Sequence, residues 1–227
     1  MADVWYYLAD LIIDLHSKIR YRAIRPYFKI CERNIEIGTG TGYISYKFIQ
    51  DTGKPITALR CKSPNPYYFS RNMTVKSGCL PRTKFRTAAF EQALLIDVLE
   101  HIGDDAAALR EVNRILEMWG FLLISVPTPY FSKYFGKEFA DRVGHVRDGY
   151  TLEQLMALLE STGFQVLQYG YHTHALASWC CERAYKFGNH GFFKATLYDI
   201  CCQYFDEYTS QEESCGLVVQ AQKVRNA

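Results

Sequence analysis

Three stretches of this 227-residue chain bring together residue types that can do chemistry. In the first, Glu36 precedes Gly38, Thr39, Gly40, Thr41 and Gly42, and glycines two apart let backbone approach a ligand without Cβ interference. A dinucleotide fingerprint would need Gly or Ala at position 43. Tyr43 stands there and disfavours a nicotinamide reductase. The second stretch is Ile96-Asp97-Val98-Leu99-Glu100-His101-Ile102. The third, Gly144 to Tyr150, carries His145, Arg147 and Asp148. An imidazole titrates near neutrality, so His145 is the first choice as general base and His101 the second. For both, a histidine held by the backbone for structural reasons is the alternative. Tyr130, Phe131, Arg147 and Tyr150 could wall an acceptor site, or serve as ordinary core.

A further group, His172, His174, Cys180, Cys181, His190, Cys201 and Cys202, consists entirely of zinc-ligand types. Adjacent cysteines on a helix point about 100° apart, and zinc ligands usually come in wider pairs. No metal is expected from this group. The eight cysteines show no C-x-x-C, and reduced thiols are the expectation.

The elements that must position these residues follow from periodicity. Trp5, Leu8, Ile12, Leu15 and Ile19 predict an amphipathic helix. Asn34–Ile37 predicts a strand, Tyr43–Gln50 a helix, and Pro55–Leu59 a second strand. Tyr67–Met73 reads as part of a second helix, with a weakly marked strand somewhere between Ser77 and Ala89. The apolar run 93–96 suits a central parallel strand. Asp104 or Asp105 can cap a helix through Leu116, and Gly120 precedes a strand over Phe121–Val126. Thr151 and Gln154 form a capping box for a helix that stops at Gly163. Strands follow at Phe164–Tyr169 and Gly216–Gln222, with two aromatic-rich helices between them. Alternating strands and helices make an α/β sheet with seven strands, mostly parallel. The expected organisation is one domain over 1–227, with a helical segment at 1–30 and a helical insertion at 171–214.

The run from Ile96 to Ile102, followed by Ala108 to Leu116, resembles the class I S-adenosylmethionine-dependent methyltransferases of the ubiquinone or small-molecule type. Glu36–Gly42 matches the first motif of that family, and Gly120–Pro129 its fifth strand and following loop. The resemblance implies a Rossmann-like fold with helices on both faces and a closing antiparallel hairpin. It implies S-adenosyl-L-methionine as cofactor, with Glu36, Gly38, Thr39, Gly40, Gly42, Arg60, Asp97 and Val98 at its site. Two departures stand out. Arg60 occupies the place of the acid that ordinarily binds the ribose hydroxyls, and no Asp or Glu lies between Asp51 and Glu91. Each lost charge-assisted contact is worth roughly 1.5–3 kcal/mol.

The expected activity is methyl transfer to a small-molecule or lipid-like acceptor, at oxygen. A methyltransferase-like binding module without catalysis and an RNA methyltransferase are the alternatives. The aromatic-rich helices expected over 175–208 would suit a lid, a homodimer surface or a membrane-touching face. The chain is 48% hydrophobic and 22% charged, which excludes a disordered chain. A formal net charge of +2 gives no total bias towards nucleic acid, although residues 52–90 carry eight cations and no acid. Asp3, Asp10 and Asp14 precede the first cation, Lys18, unlike a secretory leader. A cytoplasmic protein, peripheral to the membrane at most, is expected.

Overall fold

The structure is a computed structural model and describes residues 15–61, 67–187, 192–208 and 213–227. It opens with α1 (Leu15–Ile24), which ends where Pro26 sets a turn of 3-10 helix. Trp5, Leu8 and Ile12 of the expected first helix lie outside the described residues. Next come β1 (Asn34–Ile37), α2 (Tyr43–Thr52), β2 (Ile56–Arg60), β3 (Met73–Ser77) and β4 (Phe90–Ile96). The chain continues through α3 (Asp105–Ile115), β5 (Leu116–Pro127), α4 (Tyr130–Phe135), α5 (Lys137–Val143) and α6 (Leu152–Ser161). It closes with β6 (Phe164–His172), α7 (Ala175–Phe187), α8 (Phe192–Phe205) and β7 (Gly216–Lys223).

All seven strands form one sheet in the order β3-β2-β1-β4-β5-β7-β6. The pairs from β3 to β5 are parallel, and β7 runs antiparallel to both β5 and β6. Alternate residues face opposite layers, as a pleated strand requires. Ile35, Ile37 and Leu95 meet α3 (Leu109, Val112, Ile115) and α6 (Leu155, Leu159) on one face. Ala58, Leu94 and Ile96 meet α1 (Tyr21, Ile24) and α2 (Ile44, Phe48) on the other. Burying each large side chain here contributes roughly 1.5–3 kcal/mol. The caps follow the sequence closely. Asp104 accepts from Ala107 N at 2.9 Å, and Thr151 and Gln154 form the full capping box.

Four expectations need correction. Tyr67–Met73 is not helical: Pro64 and Pro66 upstream oppose helix, and Tyr68 instead packs on Tyr43 and Tyr46 at ring separations of 5.5 and 5.6 Å. The third strand comes earlier than expected, at Met73–Ser77, paired residue for residue with β2. The fifth strand begins directly at the end of α3, because Leu116 pairs with Phe90 before a bulge shifts the register to Phe121–Gln92. Finally, Cys61 and Cys79 form a disulfide, a bond rare in reducing compartments. β2 and β3 end side by side, which brings these two thiols together. The other described cysteines are free, and Cys180, Cys181 and Cys202 are buried against Leu15 and Ile19. Among the described residues no helix is long and apolar enough to cross a membrane.

Candidate functional site

In an open parallel sheet, ligands bind beyond the carboxyl ends of the strands where the strand order reverses. Here that point lies between β1 and β4. The glycine loop leaves β1 at this edge and is tied to β2, because the amides of Gly38 and Thr39 both donate to Leu59 O, at 2.8 and 3.2 Å. Gly38 has φ +85°, and a Cβ there would sit 2.4 Å from Val98 Cγ2. Only glycine fits such a position. Under the loop, buried Glu36 accepts from Thr39 Oγ1 at 2.9 Å and from the Ser45 hydroxyl. Burial outweighs these hydrogen bonds and raises its pKa to about 7. Gly38 and Val98 line a cavity of about 360 Å³ with Cys61, Leu80, Ile102 and His101.

A second cavity, of about 250 Å³, adjoins the first, since His101 lines both. Asp97 holds one corner in the left-handed region, at φ +49°. Its amide donates to Ser125 O at 2.9 Å, Ser125 Oγ donates back to its carboxylate at 2.8 Å, and Arg20 from α1 pairs with it at 2.6 Å. Burial alone would raise this carboxyl; the Arg20 guanidinium wins and holds it below the usual range. Three residues along, Glu100 is 1% exposed. Burial, and then the Asp97 charge, push it well above the ordinary carboxylate value. Its backbone carbonyl accepts from Val146 N at 2.9 Å, which draws the 144–150 loop against β4. His145 arrives on that loop, 5.1 Å ring to ring from Phe131. Burial and the neighbouring His101 lower its pKa, so the imidazole is neutral at pH 7. His16, Pro127, Phe139 and Val143 complete the wall.

The structure thus brings together His101, His145, Asp97 and Phe131, with Gly38 and Val98 next door. Gly40 and Gly42, both at positive φ, complete the turn. Arg60 ends β2 in register with Ser77 and lines neither cavity. Tyr130 and Tyr150 line a separate cavity with Tyr171 and Ser214. Arg147 pairs with Asp105 and donates to Ile102 O at 2.7 Å, while the Tyr150 hydroxyl donates to Asp105 at 3.0 Å. Both act as ties between loop and helix. The histidine and cysteine group splits: Cys180, Cys181 and Cys202 pack together in the core beside Leu15 and Ile19, and the described histidines bond elsewhere. His172 bonds Thr173 Oγ1 at 2.9 Å, His174 bonds Ser214 Oγ at 2.5 Å, and His190 lies outside the described residues. Sequence reasoning missed Arg20, His16 and Glu100 as site residues. The spacing of Asp97, Glu100 and His101 was the available signal for Glu100; nothing local marks the other two.

A methyltransferase-domain family model matches residues 4–169. The chain belongs to that family. No curated protein is significantly similar to it in sequence. Its fold matches an S-adenosylmethionine-dependent methyltransferase from Mesorhizobium loti, with a TM-score of 0.63 and 15% identity over 92% of this chain and 100% of that one. It also matches phosphoethanolamine N-methyltransferase 2 of Haemonchus contortus, in complex with S-adenosyl-L-methionine, with a TM-score of 0.64 and 17% identity over 87% and 50%. The cyclase SpnF shares the architecture at a TM-score of 0.58 and 17% identity, over 87% and 76%. Identities this low show the fold alone.

The matched family and the sheet order make this a class I methyltransferase domain, and a solved structure of the same fold holds S-adenosyl-L-methionine. The cavity at the glycine loop fits the adenosine part of that cofactor. Its apolar walls (Val98, Leu80, Ile102) suit a flat base, and the lining holds no carboxylate for the ribose hydroxyls.

Proposed function

We propose that this methyltransferase transfers the methyl group to a hydroxyl oxygen of a small acceptor bound in the 250 Å³ cavity. The cofactor supplies an electrophilic methyl on a sulfonium. The chain aligns the acceptor with it and keeps water out. An amine in its neutral form needs alignment alone, whereas a hydroxyl must also lose a proton. The observation that carries the reading is the cluster of Glu100, His101 and His145 on the side of the cavity that adjoins the cofactor. Groups able to take or displace a proton have a use there where the acceptor must lose one, as a hydroxyl does. The cavity's size favours a small molecule over a lipid. Phe131, Phe139 and Val143 give it one apolar wall, so the acceptor has an apolar face opposite its hydroxyl. Gly38 and Val98 are assigned to the cofactor, with Glu36 and Thr39 holding the loop that carries Gly38.

The test is a panel of paired acceptors that differ only in hydroxyl against amine, with methyl-labelled cofactor. Transfer to the hydroxyl member, reduced at least about tenfold in His145→Ala, is expected. Label recovered on amine members alone would overturn the assignment.

A further inference from the structure

A buried carboxyl oxygen without a hydrogen-bond partner is destabilising. Glu100 Oε2 is such an atom, with no hydrogen-bond partner among the described residues. The other oxygen, Oε1, lies 3.8 Å from His101 Nε2 and 4.0 Å from His145 Nε2. One ligand atom from each residue falls within 4.8 Å of the other two, the one such group among the described residues. His101 is also oriented for ligation. Its Nδ1 lies 3.0 Å from Gly144 O, so the proton sits on Nδ1 and Nε2 turns a lone pair towards the cluster. A backbone carbonyl on the distal ring nitrogen is the usual support of a metal-ligating histidine. A cation among these atoms would engage the carboxyl oxygen and the ring lone pair together.

We propose that Glu100, His101 and His145 hold one first-row divalent cation of the zinc, manganese or iron(II) class in the acceptor cavity. Two imidazoles and one carboxylate suit that class better than magnesium or calcium, which prefer oxygen. Ligands at about 2.0–2.1 Å from a tetrahedral ion sit roughly 3.3 Å apart, so separations of 3.8, 4.0 and at most 4.8 Å close by roughly 0.5 to 1.5 Å on binding. His101 is partly exposed and able to move. Arg20 lines the same cavity, and its charge is offset by Asp97, which pairs with it at 2.6 Å. Three protein ligands leave a position open to the cavity. This part rests on the O-methylation reading: the acceptor hydroxyl takes the open position and releases its proton to solvent. Its oxygen then bonds to the methyl carbon as the carbon–sulfur bond breaks, and the electron pair stays on sulfur as a neutral thioether. In that arrangement His145 is a ligand rather than the proton acceptor.

The test uses the full chain stripped with chelator. Cobalt(II) titration followed by visible absorption, and zinc titration by calorimetry, are expected to saturate at one equivalent. His101→Ala, His145→Ala and Glu100→Gln are each expected to weaken binding ~10–100-fold. His145→Ala, whose side chain lies outside the cofactor cavity, is expected to bind S-adenosylhomocysteine as the parent does, which separates loss of metal from loss of fold. No saturable binding in the parent chain, or binding unaffected by His101→Ala, overturns the proposal. One equivalent of metal with no transfer to any hydroxyl supports the site and instead overturns the acceptor reading.

Discussion

Glu36 shows how one buried group can hold a loop and tax stability at once. Ionising it inside the protein is costly, and its folded pKa of about 7 exceeds the usual value near 4.3. The folded chain therefore binds this proton more tightly than the unfolded chain does. The stability that results is fully present below about pH 4 and is lost as pH rises through about 7, a change of about 3 kcal/mol. Glu36→Gln keeps an acceptor for Thr39 and Ser45 and cannot ionise. Urea unfolding at pH 4 and pH 8 is expected to shift the difference between variant and parent by about 3 kcal/mol in the variant's favour. A difference that does not change with pH would refute the buried-acid account. At this scale the sequence was informative where chemistry is local. Glycines with a preceding acid, and the run containing Asp97, Glu100 and His101, marked both cavities before any fold was known. Arg147 and Tyr150 misled, because their partner Asp105 lies over forty residues away and polar residues on a loop look the same whether tied down or waiting for substrate.

Elements were readable where caps and periodicity agreed, as at Thr151 and Asp104, and unreadable where pairing decides. The segment after β2 shows this. Nothing local states that Cys61 and Cys79, eighteen residues apart, end neighbouring strands. The register of β2 on β3 does. Closing a loop of that length contributes about 3 kcal/mol through the unfolded chain. Because both cysteines line the cofactor cavity, the bond also fixes the outer wall of that site. A Cys61→Ser, Cys79→Ser double variant is expected to unfold at lower denaturant than the oxidised parent and to match the parent treated with reductant. Calorimetric affinity for S-adenosylhomocysteine is expected to fall in both. If reductant leaves the parent's stability and affinity unchanged, the staple has no role.

Over the whole molecule, charge separates into a basic stretch at 52–90 and an acidic one at 195–222. Much of the acidic side is used internally. Asp199 pairs with Arg22 at 2.7 Å and Lys18 at 3.6 Å, and Asp206 accepts from the amides of His174 and Ala177 at 2.9 and 2.7 Å, where α7 begins. Within the basic stretch, Arg60 ends β2 in register with Ser77 of β3. The alternation of strands and helices made the sheet legible from sequence. Placement of α1 was not, because a basic cluster after an amphipathic helix does not reveal that Arg20 reaches Asp97. Trp179, Leu197, Tyr204 and Phe205 on α7 and α8 are exposed.

The account turns on the sheet's switch point being the cofactor site, with Gly38 against Val98 as its tightest contact. Titration calorimetry of the parent chain and Gly38→Ala with S-adenosylhomocysteine tests this most directly. A Cβ at Gly38 meets both a positive φ and Val98, so saturable binding in the parent and at least about tenfold weaker binding in the variant is predicted. No binding at millimolar ligand, or equal affinity in parent and variant, would contradict it.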